Sequence, residues 1–197
     1  MKPYTTLKTK DDLKINLFSN QIKSKKGVIL VTHGMGEHAL RYSEMARYFT
    51  EAGFAVVAFD IRGHGTSEGK RGHTPSYDLL MDDIDRIYDK VKSDYLDAPV
   101  VLFGHSMGGN LILNFLLRIK RKVAGAIVTG PYLKLGFEPP KWKIILAKLS
   151  SNILPSLSQP TELEKPALTR TSQVVRDYED DHLVHDRITS SFFINVH

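Results

Sequence analysis

The sequence contains no cysteine, which excludes a disulfide framework and a thiolate metal site and fits a reducing compartment. It also lacks any uncharged apolar run near the roughly 18 residues that a membrane-spanning helix requires. Its start, MKPYTTLKTKDDLKINLF, has no apolar stretch of the secretory kind. These absences predict a cytoplasmic protein, with peripheral contact at a membrane surface left open. Long blocks of one charge are absent too: 27 basic and 22 acidic residues are interspersed, for a formal charge of +5. With no nucleic-acid motif beside that charge, no nucleic-acid partner is expected. No internal repeat or low-complexity tract interrupts the 197 residues, of which 42% are hydrophobic and 25% charged. That composition fits one globular domain able to bury a core.

What is present is an alternation. GVILVTHG (27–34), AVVAFD (55–60), VVLFG (100–104) and AGAIVTG (124–130) are short apolar runs ending in glycine or polar residues, as strands buried on both faces do. Between them Tyr42, Met45, Ala46 and Phe49 share one helical face, as do Leu80, Ile84, Ile87, Tyr88 and Val91. The order predicts an α/β domain with a mostly parallel sheet and helices on both faces. In such a domain the loops at 33–38, 60–67 and 104–109 converge at the carboxyl ends of the strands. Residues 4–19 alternate like a solvated antiparallel hairpin turning at Asp11 and Asp12.

The stretch VVLFGHSMGGNLIL (100–113) carries the chemistry. Gly104, His105, Ser106, Met107 and Gly108 fit G-x-S-x-G, a pattern that chance supplies in roughly one chain of this length in fifteen. Its setting is what gives it weight, because a strand-like run precedes it and a helix-like run follows. That is the strand, sharp turn and helix of a nucleophile elbow, which leaves Ser106 exposed. An acyl-transfer serine needs donors for the developing oxyanion. The backbone N–H of Met107 is one, and the loop THGMGEHALRY (32–42) offers the Met35 N–H as another. His33 is read as a structural histidine of that loop, and Asp60 with Arg62 as an ion pair tying the loop at 60–67.

HGMGEHALRY, FDIRGHGTSEGKRGH, GHSMGG and LVHDRIT stand in an order that resembles the monoacylglycerol lipase and lysophospholipase branch of the α/β-hydrolase superfamily, the serine aminopeptidase-like hydrolases. The resemblance implies a serine hydrolase of carboxylic esters with a lipid-like or small ester substrate; separately, the sequence has no dinucleotide fingerprint and its histidines no zinc-ligand spacing, so no cofactor is expected. The resemblance implies Ser106 as nucleophile and the Met35 and Met107 N–H groups as oxyanion hole. It also implies residues 1–130 as the N-terminal part of the core and 131–197 as a helical cap. Against that family the chain stops before two further βα units that would carry the catalytic acid and base. A sheet ending there exposes an edge for a partner chain or an oligomer to cover.

Within the proline-rich segment after Gly130, Trp142, Ile145, Leu146, Leu149 and Ile153 fall on one helical face, with Lys141, Lys143 and Lys148 elsewhere. The plainer expectation is that this face packs on its own domain; the alternative is a lid touching acyl chains or a membrane surface. DYEDDHLVHDR (177–187) reads as a solvated charged run, and ITSSFFINVH (188–197) as a cap helix. Two other functions stay open. One is a non-catalytic remnant that binds an acyl ligand or a protein, and the other an enzyme using His182, His185 or His197 as base.

Overall fold

The computed structural model describes residues 1–22, 26–134, 140–161 and 169–196. Two antiparallel strands, β1 (Lys2–Lys8) and β2 (Lys14–Ser19), form the N-terminal hairpin, with Asp12 at φ 70° in its turn. The parallel strands are β3 (Val28–Thr32), β4 (Ala55–Phe59), β5 (Val100–His105) and β6 (Gly125–Thr129). Among the described residues they join the hairpin in one sheet of order β1-β2-β4-β3-β5-β6. The hairpin is less solvated than its alternation predicts. β2 pairs with β4 and buries Ile15, Leu17 and Phe18, so of the hairpin's two strands β1 alone lies at the sheet's edge.

Helices cover both faces. A 3₁₀ turn (Ala39–Tyr42) leads into α1 (Ser43–Glu51), whose Ala46, Met45 and Phe49 meet Ile29, Val31, Val56, Ala58 and Phe103. Alternate residues of the same strands, Val28, Leu30, Val57 and Phe59, point the other way. There they pack with α2 (Tyr77–Asp94) and α3 (Met107–Arg118). The predicted face of α2, Leu80, Ile84, Ile87, Tyr88 and Val91, is buried in that larger core, and Ser76 caps the helix by accepting from the Leu79 N–H.

Beyond β6 come α4 (Lys141–Ile153), α5 (Ser172–Glu179) and α6 (Ser190–Val196). Two short strands that no apolar run announces, β7 (Ser158–Pro160) and β8 (Arg187–Thr189), form a small antiparallel ladder, β8 taking Ile188 and Thr189 from the stretch read as helix. α6 is the helix expected from its period, and it seats Phe192, fully buried, in the larger core. The expectation for α4 is overturned. It packs on α6, but Trp142, Ile145, Leu146, Leu149 and Ile153 are each more than half exposed, up to 74% at Ile153. β6 is an outer strand with Ala126, Ile127 and Thr129 exposed.

Candidate active site

Ser106 stands between β5 and α3 with φ 52° and ψ −117°, a conformation that costs a non-glycine residue on the order of 1–3 kcal/mol. It is held there from both sides. Its N–H donates to the Thr129 carbonyl at 3.0 Å, and its own carbonyl accepts from the N–H groups of Asn110 and Tyr132 at 3.1 and 2.9 Å. Close approach explains the flanking glycines. A Cβ on Gly104 would lie 2.5 Å from the Gly108 carbonyl oxygen, and one on Gly108 would lie 2.1 Å from that of Thr32. α3 therefore begins almost in contact with β3 and β5.

The three loops converge as predicted. A Cβ on Gly34 would stand 3.3 Å from that of Ser106, so the turn bearing Met35 adjoins the serine. Met107 opens α3, where the first N–H groups have no partner within the helix and lie at its positive end. Among the described residues, the backbone N–H of neither Met35 nor Met107 is taken by another backbone group. The Gly34 N–H donates to Glu37 Oε1 at 2.6 Å, which also accepts from the Tyr42 hydroxyl at 2.7 Å. Nothing in the spacing of the sequence singles out Glu37 for this bracing.

His33 is structural, as read. Fully buried, it donates from Nδ1 to the Gly34 carbonyl at 2.7 Å and accepts at Nε2 from the Ile61 N–H at 3.0 Å. Both nitrogens are spent on joining two loops, and burial lowers its pKa. The expected pairing of Asp60 with Arg62 does not occur. Asp60 accepts from the Ala39 N–H at 2.8 Å and from the N–H and hydroxyl of Thr66 at 2.7 and 2.9 Å. Arg62 turns away into a buried site between Asp11 and Asp83. Neighbours in sequence here face opposite sides of the loop.

No side chain among the described residues is hydrogen-bonded to the Ser106 hydroxyl. His105 is turned to Thr129, and His182 is exposed. His185 packs at a tilt against the buried His64 with ring centres 4.6 Å apart and accepts at Nδ1 from the Arg187 N–H; His197 lies outside the described residues. Also among the described residues, no cluster of three or more His, Asp or Glu has the arrangement of a metal site.

The packed histidine pair makes stability depend on pH. Burial lowers His185 to about 4, helped by Arg71 and His33 and opposed by the Gly63 backbone and Asp186. Burial, His33 and His185 push His64 well below its ordinary value. Below pH 6.5 the unfolded chain takes up protons that these folded rings refuse, so their contribution is complete above about 6.5 and is lost as pH falls toward 4. Asp11, held down to about 2 chiefly by its hydrogen bond from Arg62, loses its contribution only below that window. The melting temperature should therefore fall from pH 7 to 4.5, and His185→Gln should flatten the fall. Thermal melts with equal slopes in both proteins would rule out His185 as a source.

Comparison with known proteins adds the following. The family model described as "Serine aminopeptidase, S33" matches residues 23–197. Monoglyceride lipase of Homo sapiens is 33% identical over 160 residues, 81% of this chain and 52% of its own length. An uncharacterized abhydrolase domain-containing protein of Dictyostelium discoideum is 35% identical over 181 residues, 91% of this chain and 19% of its own. The crystal structure of Paleococcus ferrophilus monoacylglycerol lipase superposes with a TM-score of 0.80 at 35% identity, covering 94% of this chain and 70% of that one. The fold is thus that of the α/β-hydrolases, and the chain spans about half the length of the human relative or less in the longer one.

Proposed function

The chain belongs to the serine aminopeptidase family of hydrolases, and from that premise we propose that it works as part of a serine hydrolase of carboxylic esters, of the monoacylglycerol lipase or lysophospholipase type. The observation that carries this reading is Ser106, a serine at positive φ on a strand-to-helix turn beside a glycine loop. Its Oγ attacks the ester carbonyl carbon and gives up its proton to a base. The tetrahedral oxyanion lies between the N–H groups of Met107 and Met35. The alcohol then leaves with a proton, and water attacks the acyl-serine to release the acid and restore the hydroxyl.

The base and its acid partner belong, in this proposal, to polypeptide beyond these 197 residues, since no described histidine is bonded to the Ser106 hydroxyl. The open edge of β6 is where such polypeptide, covalently continuous or from a partner chain, would pair. The exposed stripe of α4 is the surface proposed to meet acyl chains or a lipid surface, in a cytoplasmic protein that binds membranes peripherally.

The test uses the protein at its full natural length on an emulsified monoacylglycerol, a soluble short-chain ester and an aminoacyl anilide. Both esters should be cleaved and the anilide spared. Leu149→Asp should slow the emulsion reaction about tenfold, through lost apolar contact, and leave the soluble ester unchanged. Cleavage of the anilide alone would replace the ester reading by an aminopeptidase. No cleavage by folded protein would favour the binding remnant.

A further inference from the structure

The charged run at 177–187 is solvated on one side only; its other side lies on the loop that follows β3. Asp181 Oδ2 accepts from His38 Nε2 at 2.7 Å, with the two side chains 22% and 5% exposed. Its other oxygen, Oδ1, accepts from the Leu183 N–H at 2.9 Å, which fixes the carboxylate plane. Four residues on, the His185 N–H donates to the Gly36 carbonyl at 2.8 Å. Gly36 has φ +76°, and a Cβ there would stand 2.3 Å from the His185 carbonyl oxygen, so only glycine admits the contact. The Arg41 guanidinium completes the set, 4.6 Å from the centre of the Tyr178 ring.

The contacts that cross to this loop fall on Gly36, His38 and Arg41, within six residues after Met35. From within, Glu37 ties the same loop to Gly34 and Tyr42. From outside, the loop at 178–185 covers it. We infer that residues 178–185 form a clamp that fixes the Met35 turn against Ser106, with Asp181 and His38 as its positioning pair. Neither residue touches the reacting atoms. They act through the backbone of the loop, whose N–H must be held in place for an oxyanion to gain from it. The catalytic meaning of the clamp rests on the reading of Ser106 as nucleophile; its mechanical role does not.

A loop held by a few such bonds opens locally at far lower cost than the sheet beneath it. Hydrogen exchange on the full-length protein should therefore show residues 33–42 exchanging about tenfold faster in Asp181→Ala and in His38→Gln, the loss of one hydrogen bond between charged or polarised groups. Protection of β3 and β5 should stay unchanged, and the double variant should exchange no faster than the faster single one, because the two residues form one interaction. On a soluble ester, kcat should fall about tenfold with KM within twofold.

Unchanged exchange at 33–42, an equal rise in β3 and β5, or additive effects in the double variant would each overturn the clamp. Faster exchange with unaltered kcat would overturn its positioning role. If the parent protein cleaves no ester, the reading of Ser106 fails by itself, and the exchange result still decides whether the clamp exists.

Discussion

Ser106→Ala is expected to lower ester turnover by the full-length protein about 10⁶-fold, as loss of the nucleophile does in serine hydrolases, leaving the catalysis that oxyanion donors and binding supply alone. The fold should survive the change. The serine backbone is fixed by hydrogen bonds to Thr129, Asn110 and Tyr132, none of which uses the side chain. Ser106→Gly separates the two roles of the position. Glycine accepts φ 52° without the steric cost a Cβ incurs, so this variant should be as inactive as alanine and melt no lower than the parent. Turnover and thermal melting measured on the same preparations check both statements. Residual activity above about one part in a thousand of the parent in Ser106→Ala would point to another nucleophile.

Arg62→Ala is expected to be the most destabilising single change outside the site, by about 3–5 kcal/mol, the cost of leaving a buried charge without its partner. The guanidinium is 1% exposed. It donates through Nε and Nη2 to Asp83 at 2.6 and 2.9 Å and through Nη1 and Nη2 to Asp11 at 2.8 and 2.9 Å. One side chain thus joins the hairpin turn, the loop after β4 and α2. The two carboxylates sit differently. Burial pushes the Asp83 carboxyl up against the pull of Arg62, whereas Asp11, nearer solvent, is held down to about 2.

Against a total stability of about 5–15 kcal/mol, the loss leaves little margin. Arg62→Lys should recover only part, because a single ammonium cannot reproduce the planar fork that serves both carboxylates. Arg62→Met combined with Asp83→Leu should be milder than Arg62→Ala, since no buried carboxylate remains on α2. Urea midpoints rank the three; a loss under about 1 kcal/mol in Arg62→Ala would refute the argument.

The sheet and the elbow were legible because each rests on a local pattern. Apolar runs such as VILVT and AVVAF have the length and β-branching of buried parallel strands, and a serine among glycines after such a run has few structural uses. Pairing was not legible. Asp60 is two positions from Arg62, yet the partners Arg62 takes lie 21 and 51 residues away, and only the tertiary fold brings them in. Period failed differently at α4. A 3.6-residue repeat shows that an apolar face exists, but here α4 meets α6 with Ile144 and Ala147 half-buried while the stripe from Trp142 to Ile153 stays exposed. In the run at 177–187 the acids are exposed except Asp181, which turns inward to His38, so composition alone averages Asp180 with Asp181.

Phe192 gives the molecule an order of assembly in time. Every described strand of the large sheet leaves the ribosome well before α6, yet the core beneath that sheet holds a place for Phe192 alongside α2 and α3. At about 5–20 residues per second, synthesis needs roughly 4–17 s to travel from Ser106 to Phe192. For that interval the nascent chain carries its elbow over an unplugged core, with apolar walls open to water and to chaperones. α6 is therefore a late plug for this part of the core, seated only after the strands it packs beneath have been made.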